Sequence, residues 1–417
     1  MRRQTETLAW LILWLAFTLC VTLTIGIPWS IHWYLHNATR SLTVVLQPRN
    51  GTISVQARGD SGPVLVSEPR EVLLHSRIRL GADADALLLF YTPVQSTIPV
   101  LTVQLYGQSD LVIEELKTPR FALSSLPHQV LLRTHNANNV LFTVGGEDSN
   151  TVLRLHTPHG TPELENGIYT LVVKPNVTEF SVRAGQARMT DPATGEALTL
   201  TALEHTDITA AGIGAIQTGE RDILQTRNGD FSAPLDTAWE FYNRAALPDE
   251  QAGAVRLAGE ADRRRLILER YGLGHAETGL RQTLNQDLRG AQTTLRVRAR
   301  LQINLQTLPV CGSLGTECPV MLRLTYTDQQ GNSHEWLQGF YAQSGDASTP
   351  QFCAICEWKA HHTQVPLNVW YDYESPDLVA RLRAEGFDPA VIETISVYAS
   401  GHTYSVAVQE IAILLGQ

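Results

Sequence analysis

Nowhere in the 417 residues is there a dense run of Lys or Arg, and 32 basic side chains face 42 acidic ones, for a formal net charge of −10. Nucleic-acid binding rests on clustered cations that neutralise phosphates, so it is excluded. Formal charge of either sign is missing from Thr7 to Thr39. Cysteine and tryptophan are both absent from Ser41 to about Gln225. There is no repeat of solenoid period and no low-complexity tract. A composition that is 43% hydrophobic and 18% charged excludes disorder and miniature disulfide scaffolds. At about 150 residues per domain, the length predicts two or three units.

The charge-free window sets the compartment. Leu8 to Ile27 is a stretch of twenty residues rich in Leu, Ile, Val, Ala and Trp. At about 1.5 Å per helical residue it matches a hydrocarbon core of about 30 Å, and we read a transmembrane anchor over 8–28 that Pro28 ends. Trp29, Trp33 and Tyr34 come next, where amphipathic rings favour the headgroup layer. Arg2 and Arg3 keep the N-terminus, 1–7, cytoplasmic by the positive-inside bias. A cleaved signal peptide would have a shorter apolar core, of about 7–15 residues, ending in small residues. Here only Thr24 and Gly26 come near that pattern. The expectation is a single-pass cell-membrane protein with the rest of the chain outside the cytoplasm.

That remainder divides by composition. Over 41–220, apolar runs such as Leu42-Thr43-Val44-Val45 and Ala86-Leu87-Leu88-Leu89-Phe90-Tyr91 recur between turn clusters at roughly ten-residue spacing, which predicts an all-β unit. Asn50-Gly51, Gly145-Gly146, Asn166-Gly167 and Pro192-Ala193-Thr194-Gly195 supply turn chemistry. From about Asn228 the aromatics rise, and Trp239, Trp336, Trp358 and Trp370 all lie there with the four remaining cysteines. Leu295, Val297, Ala299 and Leu301 alternate with arginines and fall on one face of a strand. A helix is predicted over Pro376 to Glu385 with Leu378, Val379 and Leu382 on one face, either closing one end of the sandwich or presenting Arg381 and Arg383 to a partner. A second short turn is predicted at Asp388-Pro389.

Three passages of the first half resemble the FecR-type domain of bacterial exported proteins: Gly81 to Phe90, Leu153 to Gly160 with Asn166 to Leu171, and Phe180 to Met189. Signalling members hold a sigma factor with a cytoplasmic domain, whereas about seven residues precede the apolar stretch here, so no intrinsic sigma control is expected. The second half, 228–417, opens on Asn228-Gly229-Asp230-Phe231-Ser232 and Trp239 and closes on Val406 to Ile413. It resembles jelly-roll carbohydrate-binding modules of the galactose-binding-like class. That resemblance implies a first strand beside the last and, in many members, a structural calcium near both, for which Asp230 and Glu410 are the weak candidates.

Sugar binding needs exposed aromatic faces and polar side chains in a concave site. Trp336, Tyr341, Trp358, Trp370, Tyr371 and Tyr373 are the candidate ligand-binding rings, with Glu335, Gln338, Asp372 and Glu374 among them. Strand alternation puts Trp370 and Asp372 on one face and Tyr371 and Tyr373 on the other, so at least one set belongs to the core. Cys311, Cys318, Cys353 and Cys356 predict two disulfides in an oxidising compartment, with three connectivities open; four thiolates holding zinc, with His361 and His362 in reserve, is the alternative. Gly59-Asp60-Ser61-Gly62-Pro63 resembles a serine-protease nucleophile loop, but only His32 and His36 precede it, so we read a turn. No nucleophile and base arrangement emerges, and no enzymatic activity is expected.

These readings combine into an all-β protein behind one transmembrane helix, a non-catalytic extracytoplasmic binding protein for glycan or another cell-envelope component. A structural or assembly subunit of an envelope protein complex, or a sensor acting through a separate cytoplasmic partner, is the alternative.

Overall fold

One helix fills the charge-free window. It runs as Arg2–Val21, passes through a π-turn at Thr22–Gly26 and resumes as Ile27–Asn37. Pro28 therefore does not end it, contrary to the sequence expectation. Proline has no N–H for the carbonyl four residues back, and the wider π-turn immediately ahead absorbs the missing bond and the ring. Ala9–Asn37 has a mean hydropathy of 2.2 and its most apolar stretch is unburied, so this is a helix long and apolar enough to cross a membrane. The computed structural model describes residues 2–93, 98–145, 150–191, 193–245, 247, 249–260, 264–289, 294–346, 348–359 and 361–416.

Beyond the helix the chain is β. Two sheets enclose the first core. One contains Thr43–Asn50, Asp85–Tyr91, Leu101–Tyr106, Gly167–Val173 and Thr178–Ala184, and the other contains Ile53–Gln56, Arg77–Leu80, Asp110–Pro119 and Thr151–His156. His128–Val144 belongs to both, because register slips between Thr134 and Asn136 and between Ala137 and Val140 let it fold over from one sheet to the other. Leu46, Phe90, Val103, Phe142, Tyr169 and Phe180 are buried between the sheets. The FecR-like passage Phe180 to Met189 is a strand, a glycine and a strand. Gly185 sits at φ +87°, and a Cβ there would meet the Asn166 carbonyl oxygen at 2.3 Å. Gly51, Gly145 and Gly195 make the predicted turns at positive φ, while Gly146 and Pro192 lie outside the described residues. Gly59 to Pro63 is a turn, closed by the Asp60 N–H on the Ala57 carbonyl at 3.2 Å.

Register tells the two ends of this first unit apart. Thr39 pairs with Pro119, Thr43 with Tyr91 and Val44 with Val72, so the segments just after Val72, Tyr91 and Pro119 all lie at the end where the helix enters. Asn50 pairs with Asp85 and Asp85 with Tyr106, which places those residues at the opposite end. The helix is fastened to its own end. The Arg120 N–H donates to the Ala38 carbonyl at 2.9 Å, the Ser124 hydroxyl donates to the His36 carbonyl, and the Tyr34 and Phe121 rings meet edge to face at 5.6 Å.

A second core, from Phe231 to Leu415, sits inside a jelly-roll-type sandwich. Two long strands build it. Pro389–Gly416 pairs with Arg265–Asp287 from Val391 to Val408, with Val320–Asp328 along its first half, and with Thr294–Gln306 along its second half. It crosses between the layers near Gly401, at φ +133°. The turn anticipated at Asp388-Pro389 is instead the start of this strand. Pro389 is its first residue, opposite Asp328, a position where the absent N–H costs no ladder bond. The predicted helix is present as Leu378–Ala384, with the Asp377 carboxylate accepting from the Val379 N–H at 3.0 Å and Gly386 at φ +92° past its end.

Asn228 to Ser232, expected as the first strand, is a turn beside the closing strand: the Ile411 N–H donates to the Gly229 carbonyl at 2.9 Å, and the two-residue strand Ile223–Leu224 just before it pairs with Leu414 and Leu415. A Cβ on Gly229 would stand 2.1 Å from the Ile411 carbonyl oxygen. Gly229→Ala is therefore expected to destabilise the protein by about 1–3 kcal/mol, the usual range for overpacking, read as a lower thermal midpoint. An unchanged melt would refute this close approach.

Candidate functional site

The alternation of Thr294–Gln306 buries Leu295, Val297, Ala299 and Leu301 completely and turns Arg296, Arg298 and Arg300 to the outer face. Tyr371–Glu374 lies beside it in a register that sets Arg298 against Glu374 and Arg300 against Asp372. Arg298 Nε donates to Glu374 Oε2 at 3.1 Å, Arg296 Nε stands 3.7 Å from Glu374 Oε1, and Arg300 Nη1 stands 3.4 Å from Asp372 Oδ1. This ladder is not a solvated face: the Glu374 side chain is 1% exposed and that of Arg298 5%.

The first unit covers it with the end opposite the helix. Tyr106 OH donates to the Glu374 carbonyl, Gln104 Nε2 to the Asp372 carbonyl, and Asn139 Nδ2 to Glu374 Oε1 at 3.2 Å. Arg183 Nη2 reaches Glu410 Oε2 at 2.9 Å, and Glu220, from the connecting segment, accepts from Arg298 Nη1 at 2.7 Å. Asp222 accepts from Arg296 Nη2. At the flank Arg381 pairs with Asp85 at 3.0 Å, and Arg49 donates to Tyr371 OH at 3.0 Å.

Burial alone would raise the Glu374 carboxyl, but Arg298, Arg296 and Arg183, with the Asn139 amide, hold it down to about 2. Burial likewise disfavours the Arg298 cation, yet Glu374, Glu220 and Glu410 raise its pKa above the ordinary arginine value. Asp372 goes the other way: burial dominates and raises its carboxyl despite Arg300 and Arg183.

Beside the ladder, between the two units, opens a cleft of about 610 Å³. Asp83, Asn138, Lys174 and Arg183 come to it from the first unit, and Arg296 and Asp377 from the second. Arg183 Nη1 and Asn139 Oδ1 are buried at this cleft without hydrogen-bond partners among the described residues. Its lining mixes cations, carboxylates and amides, the side chains that bind polar, hydroxyl-rich or ionic ligands.

The aromatic residues singled out from sequence lie elsewhere. Trp336, Trp358, Tyr371 and Tyr373 are buried in the second core, where Phe340 packs edge to face on Tyr373 at 4.9 Å. Tyr341 is buried against the Cys311–Cys318 pair. Trp370 is half-buried beneath the Arg300 guanidinium at 5.7 Å. Gln338, Trp336 and Tyr373 touch a space of only about 20 Å³, closed by Arg49 and Asp85 of the first unit and too small for a sugar. A sandwich interior needs large apolar fillers, and that demand takes these rings.

The cysteines form Cys311–Cys318 and Cys353–Cys356 disulfides, which leaves no thiolate for the zinc alternative. His362 lies near the first pair, but its Nδ1 accepts from the Gly339 N–H at 3.0 Å and its Nε2 faces the Gly315 carbonyl at 2.8 Å; burial lowers its pKa to about 4. His361 is exposed. Of the two calcium candidates, Asp230 accepts from the Ser232 N–H and hydroxyl through Oδ1, and Glu410 is paired with Arg183 and Arg298, whose positive charges disfavour a cation beside it.

Sequence reasoning missed the arginines. The signal was in Leu295-Arg296-Val297-Arg298-Ala299-Arg300-Leu301, because three like charges side by side on one strand face call for counter-charges from another element.

No protein family and no characterised protein matches the chain by sequence. Among solved structures, a protein described as an anti-sigma factor from Parabacteroides distasonis is similar over 41% of this chain and 69% of its own, at 14% identity and a TM-score of 0.26. A family 11 carbohydrate-binding module of a cellulosomal cellulase of Clostridium thermocellum is similar over 48% of this chain and 97% of its own, at 11% identity and a TM-score of 0.27. A xylan-binding domain from Paenibacillus barcinonensis gives 48% and 99%, at 8% identity and a TM-score of 0.25. At these values the likenesses carry no argument, and the fold stands on the strand pairing described above.

Three outcomes are expected. Glu374 is held below its ordinary 4.5, so its contribution to docking is complete above that pH and is lost as the pH falls toward about 2. Hydrogen exchange along Tyr371–Glu374 should rise over that window. Glu374→Ala, which strands Arg298 beside a lost partner, should cost about 3–5 kcal/mol at neutral pH. In the unreduced, denatured protein a thiol assay should find one reactive cysteine, Cys20; five would refute both disulfides.

Proposed function

We propose that this chain is a non-catalytic, membrane-anchored binding protein, N-terminus cytoplasmic, that recognises glycan or another cell-envelope component in the cleft between a FecR-like unit over 41–220 and a galactose-binding-like unit over 228–417. The observation that carries this reading is the cleft itself: a concavity of about 610 Å³, polar, and supplied with hydrogen-bonding side chains by both units. No histidine or cysteine lines it, and the buried carboxylate Glu374 is neutralised by arginines, which favours recognition over acid–base chemistry. The fastening of the helix to one end of the first unit and of the sandwich to the other favours the sensor or assembly reading as the second choice.

Titration of the full chain in nanodiscs with oligosaccharides from envelope polysaccharides and with peptidoglycan fragments tests this. One class should bind, and Asp83→Ala or Asn138→Ala should weaken it about tenfold, the worth of one or two hydrogen bonds, with unchanged melting. Absence of binding, together with stoichiometric envelope proteins recovered in a native pull-down, would replace the glycan reading by the assembly one.

A further inference from the structure

The helix from Ala9 to Asn37 has 29 residues, about 44 Å at 1.5 Å per residue, which exceeds a hydrocarbon core of about 30 Å by about 14 Å. Its hydrocarbon-length portion is used up near Pro28. Its last turns, with Trp29, Trp33 and Tyr34 exposed, therefore stand at headgroup level.

The loop after Pro119 is tied to those turns. Phe121 packs on Tyr34, and Ser124 bonds the His36 carbonyl, so the loop stands at the same height as the end of the helix. Between those two residues Leu123 is 67% exposed, and the Arg120 guanidinium lies over the Phe121 ring at 5.8 Å. Nothing in the fold needs a bare leucine there. The same end of the first unit carries more exposed apolar side chains in the segments just after Val72 and Tyr91: Leu73, Leu74 and Ile98. At the opposite end the unit buries its charged and polar residues against the sandwich instead. Apolar tips beside a guanidinium match the boundary between acyl chains and lipid phosphates.

We infer that the helix-side rim of the first β unit, led by Phe121 and Leu123, inserts into the headgroup layer of the bilayer that the helix spans. The protein thus meets the membrane twice, by a spanning helix and by a rigid interfacial loop. This second contact holds the first unit upright on the bilayer, helix-side end down, and directs the cleft away from it. The inference rests on the helix being a membrane anchor.

A fluorophore sensitive to polarity, attached to cysteine, tests both contacts in the full chain reconstituted into phospholipid vesicles. On the native Cys20, within the helix, it should be quenched by lipids brominated deep in the acyl chain. If it is not, the anchor reading fails and this inference with it. In the Cys20→Ser background, label on Leu123→Cys should emit to the blue and be quenched by lipids brominated near the headgroup, whereas label on the exposed Glu260→Cys of the second unit should emit as in water. A Leu123 label that emits as in water while the Cys20 label is quenched would overturn the interfacial loop and leave the anchor standing.

Discussion

Everything beyond the N-terminal helix is organised around the burial of Arg298 against Glu374. An ion pair removed from water loses several kcal/mol of hydration per ion, and it is tolerated only where geometry and additional hydrogen bonds compensate. Here they come from three places: Arg296 and Asp372 on the same sheet, Glu220 and Asp222 on the connecting segment, and Tyr106, Gln104, Asn139 and Arg183 on the other unit. Because the compensating groups are spread over both units, the two cannot slide or rotate without leaving a charge unpaired. A non-directional apolar contact would permit many relative orientations, whereas this one selects a single arrangement, and the cleft exists because of it.

The same constraint gives the molecule its axis. The first unit receives the helix at one end and the sandwich at the other, and its strands run between those ends. Thr43–Asn50 alone, at about 3.3 Å per residue, spans roughly 26 Å. The sandwich and the cleft are held at about that distance from the last turn of the helix, by rigid β structure in place of a flexible linker. The helix-side end is apolar at its tips, and the far end is polar and charged, which is the distribution expected of a unit standing between lipid and a second protein surface.

Several features were legible because they are local. Charge-free length marked the helix, turn glycines at Gly51, Gly145 and Gly195 marked reversals, and the period-two run from Leu295 to Leu301 located a buried strand face. The readings that differed depended on non-local information. Pro28 continues the helix because a π-turn precedes it, and Pro389 opens a strand because Asp328 is there to pair with it. Of the aromatic candidates for ligand binding, at least one set of which was expected in the core, all but the half-buried Trp370 are buried. Alternation shows that Tyr371 and Tyr373 share a face, but which face is covered depends on the opposite layer of the sandwich and on the other unit.

The sequence by itself determined the apolar helix, the all-β character of the chain beyond it, the alternation that buries one face of each strand, and the presence of cysteines in two close pairs, since each of these is a property of neighbours along the chain. Only the tertiary structure decided which arginines meet which carboxylates, where the cleft lies, and that the rings are enclosed. Those outcomes depend on Glu374 finding Arg298 across 76 residues and Asn139 across 235, and no periodicity within a segment encodes a contact between segments.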